Sequence, residues 1–197
     1  MTGPGPRTWP PRLPAELGPY AQRPAHRLPV DAGTIEQLRR ALGRAIEPTY
    51  EAFLLEYGGV AFSELVEFRL PAGDPWGKRG TLLELFGRFG DGRSDLFTEL
   101  AAAAPALGPS WLPIGRDPGG NLLVLSTGQC GVWFWDHEAR PTGGAMAPED
   151  LVVTESGERL HQLAPSFAAF VAGLSGRSWD SATQPSRTDH PLDASGP

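Results

Sequence analysis

The amino-acid sequence predicts an α+β fold: a single domain with disordered tails, in which a mostly antiparallel sheet is flanked by N-terminal and C-terminal helices. Two helical patterns of apolar residues come first, short strand-like segments follow around one more helix, and a last helical pattern closes the series. The connections between the strand-like segments are too short to hold crossover helices. Parallel pairing requires such helices, so we expect largely antiparallel pairing.

Proline and charge divide the chain of 197 residues into three parts. Residues 1–30 contain eight prolines, four arginines and one acid, and residues 176–197 are rich in Ser, Asp, Thr and Pro. Neither end has enough regularly spaced apolar residues to offset the entropy cost of ordering. We therefore predict a Pro/Arg-rich disordered tail over residues 1–30, a folded domain over residues 31–175 and a second disordered tail over residues 176–197.

Apolar spacing and helix-ending glycines mark two N-terminal helices. An i, i+3, i+7 pattern followed by a glycine predicts the first, and its members are Ile35, Leu38, Leu42 and Gly43. A proline suited to a first turn, one apolar stripe and a glycine pair predict the second: Pro48, Tyr50, Phe53, Leu54, Tyr57, Gly58 and Gly59. Each helix therefore has an apolar side to bury.

Six segments have the composition of strands. Residues 65–70 alternate as a half-buried strand does, whereas residues 122–125 and 132–135 are apolar on both faces and fit the centre of a covered sheet. The other strands are predicted over residues 81–86, 111–114 and 151–154, the last of them at an edge. Loops or turns are predicted at residues 71–80, 87–92 and 117–120.

Two further helices are predicted within and after the strands. Ser94 fits the N-cap of a helix whose apolar residues are Leu96, Phe97, Leu100 and Ala101. A proline in the first turn, an apolar stripe and a glycine just past the end predict the closing helix: Pro165, Phe167, Phe170, Val171, Leu174 and Gly176. The folded part thus ends with a helix, as it begins.

The folded part of the chain is acidic. Residues 31–175 contain 19 acidic and 11 basic side chains, a net charge of −8, against −6 for the whole chain. Nucleic-acid phosphates require Lys and Arg patches, so this balance argues against a nucleic-acid partner. It suits a basic protein partner, because complementary charge steers encounter, although solubility alone is the simpler explanation.

Motifs of catalysis, export and metal binding are absent from the sequence. There is no P-loop, no G-x-S-x-G elbow, no H-E-x-x-H helix and no paired C-x-x-C. A single cysteine cannot form an intramolecular disulfide or a zinc site, and no apolar run resembles a signal peptide or a membrane span. We therefore expect a cytoplasmic protein that needs no cofactor or metal, binds no membrane and is not an enzyme.

Three features could carry chemistry, and each has a simpler explanation. Neighbouring side chains of a strand point to opposite faces, so Asp136-His137-Glu138 is expected to be a solvated strand end rather than a metal or acid–base site. The glycine-rich residues 87–92 could cradle phosphate, but nearby aspartates would repel an anion, which favours a turn. Cys130 could act as a nucleophile with His137 nearby, but no orienting third group is evident, which favours a structural cysteine.

Two tryptophans on one strand fit either a core or an interface. Trp133 and Trp135 share one face of the strand over residues 132–135, with Phe134 between them. Large aromatic side chains are both core fillers and common anchors of protein interfaces. Because both faces of this strand are apolar, we expect Trp133 and Phe134 in the core and Trp135, which adjoins Asp136, at an interface.

Four runs of residues resemble the SUKH superfamily of Smi–Knr-like domains. The run YEAFLLEYGG at residues 50–59 looks like its early helix and glycine stop, and APSFAAFV at residues 164–171 looks like its last helix. Between them, LPIGRDPGGN at residues 112–121 is similar to the family's LPIG-x-D-x-GGN turn, and VWFWDHE at residues 132–138 resembles its V-Y-F-W-D-H-E strand. The resemblance covers most of residues 31–175 in the expected order.

The resemblance implies a small α+β protein that binds other proteins and has no accepted catalytic residues. Bacterial members are commonly immunity proteins that neutralise polymorphic or contact-delivered toxins, and the related fungal domain belongs to a regulator of cell-wall synthesis. Sixteen arginines against one lysine fit a GC-rich bacterial gene. We therefore expect an immunity protein that occludes a cognate toxin, with a regulatory or scaffold interaction module as the alternative. The interface candidates are Asp117, Trp135, Asp136 and Glu138.

Overall fold

The computed structural model of the chain describes residues 21–22, 26–70, 78–90, 92, 94–126, 131–137, 151–153 and 159–176. Within these residues lie four α-helices and nine strands, and the paired strands all run antiparallel. The predicted α+β class is therefore confirmed. None of the described helices is long and apolar enough to cross a membrane.

The strands form one sheet that the helices flank. In chain order the elements are β1 (Ala21–Gln22), α1 (Ala32–Leu42), α2 (Pro48–Tyr57), β2 (Val60–Arg69), β3 (Arg79–Leu85), α3 (Leu96–Leu107), β4 (Trp111–Arg116), β5 (Leu122–Ser126), β6 (Val132–Trp135), β7 (Leu151–Val153), β8 (Arg159–Ala164), α4 (Phe167–Ala172) and β9 (Ser175–Gly176). The sheet order is β1-β2-β3-β4-β5-β6-β8-β7, with β9 also paired to β2. As predicted, β6 lies inside the sheet and β7 at its edge.

Helices α2 and α4 meet through aromatic side chains. The ring of Phe167 in α4 lies edge-on to Tyr50 and Phe53 of α2, with centroid separations of 5.0 and 5.2 Å. All three side chains are fully buried. Pro48 begins α2 and a left-handed Gly58 ends it, as the sequence predicts. The second helix and the last helix of the chain therefore belong to one core.

Strand β6 is covered on both faces. Phe134 packs near Phe68 of β2 at a centroid distance of 5.9 Å, whereas Trp133 faces Trp111 of β4 at 5.7 Å in an edge-on arrangement. Trp133 and Phe134 are both buried. Their predicted place in the core is confirmed, and the continuous apolar run of this strand follows from its two covered faces.

The glycine pair after α2 has a packing role in addition to ending the helix. A Cβ atom on Gly87 would lie 1.7 Å from the carbonyl oxygen of Gly58, and one on Gly59 would lie 2.7 Å from the Gly87 Cα atom. The backbone amide of Arg88 donates to the same Gly58 carbonyl at 3.2 Å. Three glycines thus let two backbone segments cross in contact, where no side chain fits.

Several elements differ from their predicted bounds. Strand β2 begins at Val60 rather than at residue 65, and α4 ends at Ala172, so Gly176 belongs to β9 instead of following the helix. The N-cap of α3 is Asp95, whose side chain accepts from the Phe97 amide at 3.1 Å, and the prediction of Ser94 was wrong. Strands β1, β8 and β9 were not predicted: β1 and β9 have only two residues each, and β8 has no clear strand pattern and depends on its pairing with β6 and β7.

Both ends of the described chain attach to β2. Ala21 and Gln22 pair with Phe62 and Ala61, and β9 pairs with the same strand farther along. Paired backbone therefore begins before residue 31, where the sequence placed the start of the domain. Apart from residues 21–22, 26–30 and 176, the two predicted tails lie outside the described residues, and so do residues 71–77 of the predicted loop and Cys130.

Candidate functional site

The turn between β4 and β5 lies beside the end of β6. Leu122, the first residue of β5, pairs with Trp135, the last residue of β6. This register places residues 117–121 next to residues 136 and 137. Parts of the two central sequence motifs therefore form one continuous region, called the turn surface below: residues 117–121 and 135–137.

A double hydrogen bond between Asp117 and Asn121 closes the turn. One carboxylate oxygen of Asp117 accepts from the Asn121 amide N–H at 2.8 Å, and the other accepts from the Asn121 side-chain Nδ2 at 2.8 Å. The backbone N–H of Asp117 donates to the Asn121 carbonyl at 3.0 Å. Gly120 has φ of 92°, which only glycine adopts readily. The predicted tight turn is confirmed, and both the amide and the carbonyl of the Asn121 backbone are hydrogen-bonded to Asp117.

Asn121 also contacts His137. The Asn121 Oδ1 atom lies 2.9 Å from His137 Nδ1. The His137 ring is 6.4 Å from the Trp135 ring, tilted by 57°. One amide side chain thus joins the β4–β5 turn to the end of β6.

The four predicted interface residues have different positions in the fold. Asp117 and Trp135 are partly exposed and lie in the turn surface. Asp136 is 5% exposed, so the expected solvated strand end is wrong at this position, while His137 is exposed. Glu138 lies outside the described residues. The sequence missed Asn121, although hairpin pairing of β5 with β6 would have placed it opposite the Asp-His pair.

A second polar cluster surrounds Arg116, the residue directly before the turn, and was not predicted. Arg116 forms an ion pair with Glu84 at 2.6 Å and donates to the Ser94 hydroxyl at 2.7 Å. Ser94 in turn donates to Glu84 at 2.7 Å, and Arg116 lies 3.6 Å from Glu99. Ser94 has φ of 57°, a conformation unusual for a residue with a side chain. These contacts fix the start of α3 to β3 and β4, directly before the turn surface.

The charge balance of this second cluster perturbs one carboxyl group. Burial raises the pKa of Glu99, the neighbouring Arg116 opposes that shift, and the Glu84 carboxylate adds to it. Burial is the largest of these effects, so the pKa of Glu99 stays raised despite the nearby arginine. Across the described part of the chain, no three His, Cys, Asp or Glu residues are grouped closely enough to hold a metal ion.

A comparison with known protein families matches most of the chain. The sequence model of the SMI1 / KNR4 family (SUKH-1) matches residues 29–173. The chain belongs to this family. The resemblance to the SUKH superfamily is confirmed, and the matched range contains all four runs of residues that carried it. No curated protein matches the sequence.

Proposed function

We propose that this SUKH-1 protein is a cytoplasmic immunity protein, which neutralises a cognate bacterial toxin by covering it and has no catalytic role. The observation that carries the proposal is the turn surface, which lies within the range of the family match. There the Asn121 side chain connects Asp117 of the β4–β5 turn to the exposed His137 after β6. A binding protein gains affinity when its contact surface is ordered before the partner arrives. The hydrogen bonds around Asp117 supply that order.

The composition of the turn surface supports a protein contact. It combines a partly exposed tryptophan, an exposed histidine and three exposed turn residues, 118–120. Interface hot spots are enriched in aromatic side chains that are surrounded by less critical polar contacts. Trp135 fits the anchor position and the turn fits its rim.

The charge of the domain supports a basic partner. Residues 31–175 carry a net charge of −8, and one of the carboxylates in that count, Asp117, lies at the turn surface itself. Opposite charge accelerates encounter and disfavours wrong partners. A toxin whose active face is rich in Lys and Arg would be bound and covered by such a domain.

Co-expression tests the proposal. The chain is expressed together with the toxin-like product of the neighbouring gene, and cell survival is measured for the wild type and for two arginine variants. Pro118→Arg adds a cation to the turn surface, while Leu55→Arg adds the same side chain at an exposed position of α2. We expect protection by the wild type and Leu55→Arg, and reduced protection by Pro118→Arg. Unchanged killing with the wild type would contradict the proposal.

The alternative, a regulatory or scaffold module, places binding in the N-terminal segment. Segments rich in Pro and Arg commonly carry short binding motifs. Deleting residues 1–20 leaves the paired Ala21 and Gln22 in place. Loss of partner association in this deletion, with the turn surface intact, would favour the alternative over the immunity function.

A further inference from the structure

Two short strands pair with the same edge of β2. Strand β3 pairs with one edge of β2, and β1 and β9 pair with the opposite edge, called the outer edge below. Strand β1 lies opposite residues 61–62, and β9 lies opposite residues 66–67. Both short strands are antiparallel to β2, so they run in the same direction along the outer edge. The described chain therefore begins and ends on either side of residues 63–65.

The outer edge belongs to a long strand that the core holds in place. Strand β2 has 10 residues, and its side chains Val60, Phe62, Val66 and Phe68 are buried. The unpaired N–H and C=O groups of such an edge are a template for pairing with another chain. Two identical antiparallel edges match each other about a two-fold axis. A second copy of the chain therefore offers a matching edge.

Contacts beside β1 hold the N-terminal segment against the domain. Residues 26–28 pair with residues 88–90 through two backbone hydrogen bonds, of 2.8 and 2.9 Å. The Arg27 guanidinium donates to the carbonyl oxygen of Tyr57, the last residue of α2. A segment that is already fixed a few residues away loses less entropy when it pairs. These contacts therefore favour the pairing of a strand that has only two residues.

Strand β9 is positioned by the helix that precedes it. Leu174, directly before β9, is buried, and its backbone N–H donates to the Val171 carbonyl at 3.2 Å. Phe167 and Phe170 of α4 are buried in the same core. Packed residues therefore place β9 on the outer edge, as residues 26–28 do for β1.

We propose that β1 and β9 cover the outer edge of β2 and thereby keep the protein monomeric, and that opening this edge lets it pair with the outer edge of a second copy. The proposal goes beyond the proposed function, because it concerns self-association rather than a toxin. The turn surface lies beyond β3 in the order of the sheet and takes no part in this pairing.

Hydrogen exchange of the wild type tests whether the edge is covered. Consecutive pairs of an antiparallel ladder alternate between hydrogen-bonded and non-hydrogen-bonded, so one of the Ala61 and Phe62 amides donates to β1. We expect that amide to exchange slowly while the protein sediments as a monomer of 21.1 kDa. Rapid exchange of both amides, or a dimeric wild type, would overturn the proposal.

Proline substitutions in the full chain test what happens when the edge is opened. Ala21→Pro with Gln22→Pro removes both amide donors of β1, whereas Ala21→Ser with Gln22→Thr keeps them and is the matched control. Residues 26–28 and the core are unchanged in both variants, and near-UV circular dichroism verifies that they fold. We expect the proline variant to reach about twice the mass of the control as the protein concentration rises.

The site of exchange protection separates edge pairing from general aggregation. In an edge-paired dimer, an amide at Ala61 or Phe62 is protected again, and the protection increases with protein concentration. A folded proline variant that stays monomeric overturns the proposal, and so does assembly without this protection. If that variant does not fold, Ser175→Pro with Gly176→Pro opens the edge at β9, and the amides of residues 66–67 decide by the same criteria.

Discussion

The Glu47 carboxylate accepts hydrogen bonds from the backbone N–H of Phe167, a residue 120 positions later in the chain, at 3.0 and 3.1 Å. Glu47 precedes α2, but its side chain caps α4 and leaves its own helix without a side-chain cap. Helix α4 has six residues and would not be stable alone. This contact and the neighbouring Ser166 cap satisfy two of its free amide groups.

Replacing Glu47 should therefore destabilise the domain through a helix that is distant in sequence. We expect Glu47→Ala to lower the free energy of unfolding by about 1–2 kcal/mol, as loss of a cap does. Glu47→Gln keeps one acceptor oxygen and should lose less. Urea denaturation measures both, with the exposed Glu56→Ala on α2 as the control. Equal stability of Glu47→Ala and Glu56→Ala would show that the cap contributes nothing.

The close backbone contact between Gly87 and the Gly58-Gly59 pair predicts that adding a single methyl group destabilises the domain strongly. In Gly87→Ala the new Cβ atom would lie 1.7 Å from the Gly58 carbonyl oxygen, and two backbone segments would have to separate. We expect a loss of about 3 kcal/mol or more, or failure to fold. Gly173→Ala, whose Cβ atom would meet nothing closer than 3.5 Å, should change little. Similar melting temperatures for the two variants would contradict the close backbone contact at Gly87.

The buried Tyr50 hydroxyl predicts a stabilising substitution. Among the described residues no group forms a hydrogen bond with the Tyr50 hydroxyl, and burial of an unpaired hydroxyl costs about 1–3 kcal/mol. Tyr50→Phe removes that cost and keeps the ring contacts with Phe53 and Phe167. We expect equal or higher stability, measured by urea denaturation at neutral pH. A loss above about 1 kcal/mol would show that the hydroxyl is satisfied.

The same residue predicts a difference at alkaline pH. Complete burial raises the pKa of Tyr50 far above its ordinary 10.0, so the unfolded chain loses this proton above pH 10.0 while the folded chain keeps it. The unfolded state then binds fewer protons, and the free energy of unfolding falls as pH rises. Tyr50→Phe should lack this loss, whereas Tyr57→Phe should retain it. Parallel pH profiles of wild type and Tyr50→Phe would contradict the assignment.

Glu99 predicts a pH dependence of the same sign in the acidic range, where the free energy of unfolding should rise as pH falls. Burial raises its pKa above the ordinary 4.5, so its ionised form weakens folding at neutral pH and the penalty disappears as pH falls towards 4.5. Glu99→Gln should therefore stabilise the domain at neutral pH, by up to about 1 kcal/mol for a partly exposed group beside Arg116. The gain should vanish near pH 4.5. A gain that is equal at both pH values would exclude ionisation as its cause.

Local sequence pattern predicted those parts of the fold that local interactions specify. The apolar stripe from Tyr50 to Tyr57 and the glycines after it predicted α2, because residues three and four apart lie on the same face of a helix. The apolar run at Trp133 predicted a covered strand. The contacts of the two polar clusters depend on register instead. Arg116 meets Glu84 only because β3 pairs with β4, and Asn121 meets His137 only because β5 pairs with β6. Sequence spacing carries no direct information on such pairs.

Strand β8 was missed for a related reason. Residues 159–164 of β8 have a mixed composition, and their pairing with β6 and β7 rather than their own preference makes them a strand. Asp136 was expected in solvent because polar residues follow an apolar run, yet the fold covers it. Whether a polar residue at a strand end is buried depends on the elements that pack around it, and the local sequence does not specify these.

The central claim is that the protein binds and inhibits a toxin, and gel filtration tests it most directly. The purified chain is mixed with the purified toxin-like product of the neighbouring gene, and the toxin's activity is assayed in the eluted fractions. If the protein binds through the turn surface, the wild type should co-elute with the toxin in one complex and abolish the toxin's activity. The Pro118→Arg variant should bind the toxin more weakly and inhibit it less. Separate elution with undiminished toxin activity would contradict it.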